Sequence, residues 1–177
     1  MKKIKVLSPV LIVLTVLVIA SVAYAASQNF AARLSGAEEV PPRDTDATGS
    51  AFFQLSDDGT RISYTVTVAD IENVVASHIH CGAKGVNGSV GVTLFMGAPG
   101  GGAISGTLAK GTITAPDPGN GCGWADLAAV VAAMNSGNTY VNVHTNDGVA
   151  PTNTGPGDFP GGEIRGQITI VLSSKSK

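Results

Sequence analysis

Histidine, cysteine and tryptophan are scarce in this 177-residue chain, which contains three, two and one of them. Charged residues make up 14% of the sequence, and acidic residues outnumber basic ones by 13 to 11. The chain therefore lacks the basic surface that a nucleic-acid partner requires. It also lacks a nucleophile elbow, a phosphate-binding glycine loop and paired carboxylates at a defined spacing. We expect no nucleic-acid partner and assign no catalytic residue.

Residues 1–25 have the composition of a secretory signal peptide. Three lysines within the first five residues precede an apolar stretch over residues 6–22, and residues 23–25 read Ala-Tyr-Ala, a cleavage pattern. An uncleaved anchor is the alternative, because the apolar stretch is almost long enough to cross a bilayer. Pro9 and the cleavage pattern favour the signal peptide. We expect a secreted or extracytoplasmic mature chain with no membrane span, in which 8 basic residues remain against 13 acidic ones.

Alternating apolar residues predict that the mature chain is a single β-domain over residues 26–172, followed by a disordered tail over 173–177. The clearest strand places Ile62, Tyr64, Val66 and Val68 on one face. Strands are predicted over residues 26–34, 48–55, 62–68, 74–80, 90–95, 104–114, 139–145 and 163–172. An alanine-rich segment with helix start and stop signals predicts one short helix around 125–135. This pattern is typical of an all-β, antiparallel Greek-key sandwich or barrel.

The two cysteines, Cys81 and Cys122, are predicted to form a disulfide, since pairing is the usual state of cysteines in an exported chain. The bond would close a loop of about 40 residues and contribute roughly 3–5 kcal/mol in the chain-entropy account. The alternative is that Cys81, next to His80, is a metal ligand. An oxidising compartment favours the disulfide.

All three histidines lie on two predicted strands. His78 and His80 are two residues apart and therefore point the same way, roughly 6–7 Å apart along the strand, while Val75 and Ile79 point toward the core. His144 lies on the polar face of the second strand. Imidazole suits copper, zinc, iron or nickel, so this placement predicts a single-metal site at the three residues. The alternatives are solvated histidines, or histidines that hold a loop backbone by hydrogen bonds.

Glu163 and Arg165 share one face of the last predicted strand. A catalytic interpretation is possible, but such a pair usually forms a surface ion pair worth under about 1 kcal/mol. Residues 146–162 form a long loop rich in glycine, proline and asparagine directly after His144. A loop of this length beside a candidate site is more often functional than a plain connection.

Four segments together resemble the chordin-type (CHRD) domain family. They are Leu-Ser-Gly-Ala-Glu-Glu-Val-Pro-Pro at 34–42, Ser-His-Ile-His at 77–80, Tyr-Val-Asn-Val-His-Thr at 140–145 and Gly-Glu-Ile-Arg-Gly-Gln-Ile at 162–168. The resemblance covers nearly all of the mature chain, with the segments in the right order. It implies a β-domain of the kind found in exported bacterial proteins.

That family is in turn distantly similar to copper-zinc superoxide dismutase, so the resemblance implies an immunoglobulin-like or superoxide-dismutase-like barrel. It places His78, His80 and His144 on copper-ligand positions, and Arg165, beside Glu163, on an anion-guiding arginine. The chain has no fourth histidine, which excludes a bridged two-metal site.

Two hypotheses follow from the residues and the resemblance. The first is a non-enzymatic exported module that binds a protein, a surface polymer or a metal such as copper or zinc. The second is a copper-dependent redox enzyme. We favour the first, because a ligand is missing and a fold does not imply a function.

Overall fold

Nine β-strands and one short α-helix make up residues 28–172, the part of the chain that this computed structural model describes. The strands are β1 (Asn29–Ser35), β2 (Thr48–Leu55), β3 (Ile62–Glu72), β4 (Val74–Cys81), β5 (Val90–Met96), β6 (Ala103–Ile113), β7 (Thr139–Thr145), β8 (Ile164–Gln167) and β9 (Thr169–Val171). The helix α1 covers Leu127–Asn135. The predicted signal peptide and tail lie outside the described residues. No helix within residues 28–172 has the length and apolar character that crossing a membrane requires.

The strands pair in the order β5-β4-β7-β8-β1-β2-β3-β6, and every pair is antiparallel. The two end strands approach each other, and the Tyr64 hydroxyl on β3 donates to the Leu94 carbonyl on β5 at 2.8 Å across this seam. Neither β3 and β4 nor β6 and β7 are neighbours in the sheet, as in Greek-key winding. Asn73 alone joins β3 to β4, whereas the long connection from β6 to β7 contains α1. The predicted all-β antiparallel barrel with one short helix is confirmed.

The interior of the barrel contains the apolar side chains that the period of two directs inward. On β3, Ile62, Val66 and Val68 are buried as predicted, and Tyr64 packs against them half-buried. The core also includes Phe30, Leu34, Phe53, Leu55, Ile79, Val92, Leu94, Val141, Val143, Ile164 and Ile168. The side chains of this core are apolar, so a site built from polar side chains has to lie on the outer face of the barrel.

The structure differs from the predicted strands at two places, the start of β4 and residues 163–172. A bulge between Val74 and Ala76 shifts the alternation of β4, so Val74 is in the core and Val75 is not. The expected strand over 163–172 is two strands, β8 paired with β7 and β9 paired with β1, with Ile168 buried in the core between them. Ile170, predicted to share its face, is 40% exposed. The bulge changes which residues of β4 face the core, whereas all three residues of β9 are exposed.

The helix begins and ends at the residues that the sequence signals mark. The Asp126 carboxylate caps it by accepting a hydrogen bond from the backbone N–H of Ala129 at 2.9 Å. Gly137, just past the end, adopts a φ of 70°, which glycine tolerates without strain. Leu127, Val130 and Met134 face the core, so α1 covers one opening of the barrel.

Cys81 and Cys122 form the predicted disulfide, with Cα atoms 5.7 Å apart and a sequence separation of 41. It joins the end of β4 to the segment between β6 and α1. Both thiols are consumed by this bond, so the alternative in which Cys81 is a metal ligand is wrong. The disulfide instead anchors the strand end that carries His80.

Replacing both cysteines with alanine should lower the free energy of unfolding by about 3–5 kcal/mol, because the unfolded chain regains the entropy of the opened loop. Urea denaturation of the oxidised wild type and of the Cys81→Ala/Cys122→Ala variant measures the difference. Reductant should destabilise the wild type by a similar amount and leave the variant unchanged. A loss under about 1 kcal/mol would contradict the chain-entropy account of this bond.

Candidate metal centre

Pairing between β4 and β7 brings the three histidines together on the outer face of the barrel. In this register His80 lies opposite Tyr140, His78 opposite Asn142, and Ala76 opposite His144. The imidazole centroids are 5.1 Å apart for His78 and His144, 5.6 Å for His78 and His80, and 5.7 Å for His80 and His144. One nitrogen of each ring lies within 4.8 Å of the other two. The three side chains predicted to converge therefore form one cluster that could hold a metal ion.

Backbone carbonyls determine which nitrogen of two of these rings carries the proton. His80 Nδ1 lies 3.0 Å from the carbonyl oxygen of Gly88, and His144 Nδ1 lies 3.0 Å from that of Pro160. A carbonyl can only accept, so each Nδ1 must donate, which leaves the lone pair on Nε2. Both Nε2 atoms and His78 Nδ1 are buried without a hydrogen-bond partner. Two acceptor nitrogens, His80 Nε2 and His144 Nε2, are therefore buried close to the unpaired His78 Nδ1, and none of the three receives a hydrogen bond.

Burial keeps these imidazoles neutral. Desolvation lowers the pKa of His80 and of His144 to about 4, against the hydrogen bonds to Gly88 and Pro160, which raise it. Desolvation also lowers the pKa of His78, and the Asp117 carboxylate opposes that shift. A neutral imidazole offers its lone pair to a cation without first releasing a proton. The cluster is therefore ready to bind a cation at neutral pH.

The polar face that carries the histidines is covered by loops and does not face solvent. His80 and His144 are 7% and 8% exposed, while His78 is half-buried. The 146–162 loop folds back onto β7, where Thr145 exchanges two hydrogen bonds with the Phe159 backbone. The alternative of solvated histidines is therefore wrong for two of them. The alternative that histidines hold a loop backbone by hydrogen bonds is correct for His80 and His144, which also belong to the cluster.

Glu163 is completely buried and is satisfied by three donors. Its carboxylate accepts from the hydroxyls of Thr45 at 2.7 Å and Thr145 at 2.6 Å, and from the backbone N–H of Gly157 at 2.9 Å. It therefore joins the segment before β2, strand β7 and the 146–162 loop. The expected surface ion pair with Arg165 is wrong, because the loops bury both side chains and each finds its own partners.

Arg165, which is 2% exposed, donates to loop acceptors. Its Nη1 lies 2.9 Å from Asn87 Oδ1 and its Nη2 lies 2.8 Å from the carbonyl oxygen of Val86. The guanidinium carbon lies 3.4 Å from the ring centroid of Tyr140. Arg165 is close to the histidine cluster, but its N–H groups donate hydrogen bonds to acceptors of the 82–89 loop.

Glu39 and Asn142 are two buried polar residues that the sequence reasoning missed. A Cβ built on Gly162 would lie 2.7 Å from Glu39 Oε1 and 2.5 Å from the Asn142 amide, so the three residues pack together. Burial raises the pKa of Glu39 to about 7, although Arg165 and Arg43 lower it. No signal in the sequence marks Glu39 as buried, because glutamate side chains are usually exposed.

Comparison with known proteins identifies one family. The family model of the CHRD domain matches residues 30–168, which include β1 to β8 and all three histidines. No curated protein and no solved structure matches the chain significantly.

The stability of the domain should depend on the ionisation of Glu39. Its folded pKa of about 7 lies above the unfolded value of 4.5, so the folded state favours the protonated acid. The wild type should therefore lose stability as pH rises from about 4.5 to 7, by about 3 kcal/mol from this residue. The Glu39→Gln variant lacks this loss, so its stability relative to wild type should increase over that range.

Urea denaturation at several pH values measures this difference. Glu38→Gln, at the half-exposed neighbour that pairs with Lys84, is the control for removing a carboxylate from this segment. A Glu39→Gln difference that stays constant between pH 4.5 and 8 would contradict the assignment.

Proposed function

The chain belongs to the CHRD domain family, and on that premise we propose that it is an exported module that binds one transition-metal ion. The ligands are a ring nitrogen of His78, His80 Nε2 and His144 Nε2. The observation that carries the proposal is the convergence of three imidazoles, one nitrogen of each within 4.8 Å of the other two, in which His78 Nδ1, His80 Nε2 and His144 Nε2 are buried without a hydrogen-bond partner. Of the ligand types expected from the sequence, namely protein, surface polymer and metal, the metal accounts for this arrangement.

The free-energy cost of leaving buried nitrogens without a partner favours a bound ion over a histidine cluster that only supports the fold. A buried acceptor without a partner costs about 1–3 kcal/mol, and the Nε2 atoms of His80 and His144 are two such acceptors in one cluster. Protonation cannot satisfy them near neutral pH, because burial lowers the pKa of His80 and His144 to about 4. A cation bound by all three lone pairs removes the cost. We infer copper or zinc, since both accept imidazole ligands readily.

Two features support export. The disulfide between Cys81 and Cys122 persists in an oxidising compartment, and residues 1–25 have the signal-peptide pattern. An extracytoplasmic domain encounters copper and zinc outside the cytoplasm. The proposed activity is therefore binding of an ion that reaches the protein after export.

The mature chain should bind one copper or zinc ion when either is supplied at equimolar concentration. The His78→Ala/His80→Ala variant should bind none at this site, because a single imidazole remains. Elemental analysis after removal of free metal measures the stoichiometry, and circular dichroism checks that the variant folds. The Asp57→Asn/Asp58→Asn variant removes an exposed acidic pair at the β2–β3 turn and should bind like wild type. A metal-free wild type, or equal loading of the histidine variant, would exclude the site.

Copper-dependent redox chemistry is the second candidate function. The half-buried position of His78 favours it, because an ion held by three ligands there would keep one coordination position within reach of solvent. Arg165 argues against attraction of an anion, since it is buried and donates to Asn87 and Val86. We therefore expect binding without turnover.

The copper-loaded domain should accelerate superoxide decay no more than the metal-free protein does. Stopped-flow measurement of the decay tests this, with the His78→Ala/His80→Ala variant exposed to the same copper and treated identically as the control for adventitious copper. Faster decay with the loaded wild type alone would assign the redox activity instead.

A further inference from the structure

Tyr140 lies between His80 and Arg165 in a three-layer stack. Its ring is nearly parallel to the His80 imidazole, with an interplanar angle of 9° and centroids 4.9 Å apart. The Arg165 guanidinium carbon lies 3.4 Å from the centroid of the same ring. Tyr140 and Arg165 are each 2% exposed, so the stack is closed to solvent. A side chain packed flat against a fixed ring cannot rotate without breaking that contact, so the stack restricts the plane of the His80 ring.

The backbone of Gly88 connects this stack to the protonation of His80. The Tyr140 hydroxyl accepts a hydrogen bond from the Gly88 N–H at 3.0 Å, and the Gly88 carbonyl oxygen lies 3.0 Å from His80 Nδ1. A Cβ at Gly88 would lie 1.4 Å from the Cys81 carbonyl oxygen, so only glycine permits this approach. Tyr140 thus contacts His80 directly through its ring. It also acts on His80 indirectly through Gly88, whose N–H bonds to the Tyr140 hydroxyl and whose carbonyl accepts a hydrogen bond from His80 Nδ1.

Arg165 holds the remainder of the 82–89 loop in place. It donates to the carbonyl oxygen of Val86 and to Asn87 Oδ1, while Asn87 Nδ2 donates to the carbonyl oxygen of Val40 at 2.8 Å. Gln167, two residues further along β8, donates to the Gly82 carbonyl oxygen at 3.0 Å. Two side chains of β8 therefore fix the loop whose Gly88 carbonyl faces His80.

We propose that Arg165 and Tyr140 are positioning residues of the metal site, which act through His80. The stack sets the plane of the imidazole, and the loop held by Arg165 supplies the carbonyl that keeps the proton on Nδ1. His80 Nε2 is consequently presented to the ion in one orientation and one tautomer. This inference rests on the proposed function and gives Arg165 a role in preorganising a ligand, where the resemblance implied anion guidance.

The three ligands therefore differ in how firmly they are held. His80 has both a stacking partner and a carbonyl partner, whereas His144 has the carbonyl of Pro160. His78 Nδ1 has no hydrogen-bond partner and its ring is half-buried. Because the His80 ring has the most partners, we expect it to have its metal-bound orientation before the ion binds. We expect the His78 ring, which has the fewest, to change its orientation on binding. Outer partners that orient a ligand commonly change metal affinity by about 10–100-fold.

The test compares Arg165→Met, Arg165→Lys and Tyr140→Phe with wild type in the full mature chain. Zinc affinity is measured by competition with a chelator, and the His80 tautomer is measured in the metal-free protein by long-range ¹H–¹⁵N NMR. Arg165→Met should weaken zinc binding about 10–100-fold and convert a single His80 tautomer into a mixture. Arg165→Lys should recover part of both. Tyr140→Phe keeps the ring and loses the bond to Gly88, so about a fivefold weakening is expected.

Arg61→Met is the control, because Arg61 is an exposed arginine at the β2–β3 turn, 3.9 Å from Asp58. It should leave zinc affinity and the His80 signal unchanged. If Arg165→Met does not fold, Tyr140→Phe and Asn87→Ala, which alters an exposed loop residue, test the same link. Unchanged zinc affinity and an unchanged His80 tautomer in the folded variants would overturn the positioning role while wild-type binding stands. A wild type that binds no zinc or copper would instead overturn the proposed function, whatever the His80 signal shows.

Discussion

The antiparallel register of β4 against β7 is the constraint on which the rest of the site depends. It places His80 beside Tyr140 and His78 beside Asn142, with His144 diagonal to His78. A slip of one residue would turn one histidine set into the barrel and leave the other outside. The disulfide at the end of β4 and the buried core residues on the opposite face both hold this register. Site geometry and barrel stability are therefore consequences of the same pairing.

Covering loops change the chemistry of that outer face. Histidines on an open polar face would titrate near neutral pH and hydrogen-bond to water. Under the 82–89 and 146–162 loops the histidines are desolvated, and His80 and His144 donate their Nδ1 protons to backbone carbonyls, which leaves their Nε2 lone pairs without a donor. The same loops take up the charged side chains of Glu163, directly before β8, and of Arg165 within it. Arg165 becomes a support for one loop, and Glu163 becomes an acceptor for the other.

Two buried acids show how differently a fold can treat a carboxylate. Glu163 receives three hydrogen bonds and connects three segments, whereas Glu39 Oε1 has no partner in the described residues. Burial raises the pKa of Glu39 to about 7, although the positive charges of Arg165 and Arg43 lower it. An incompletely satisfied acid beside Asn142 is therefore available to respond to pH near the candidate metal centre.

The sequence by itself determined the antiparallel β-domain, the capped helix, the cysteine pair and the shared face of the three histidines. These follow from local periodicity, capping chemistry and composition, which neighbouring residues carry. Only the tertiary structure decided the burial of His80 and His144, the separate partners of Glu163 and Arg165, and the stack through Tyr140. Those depend on loops that fold back from 8 or 16 residues away along the chain and on strands distant in sequence. Periodicity describes which way a side chain points, whereas the groups that cover it are chosen by packing in three dimensions.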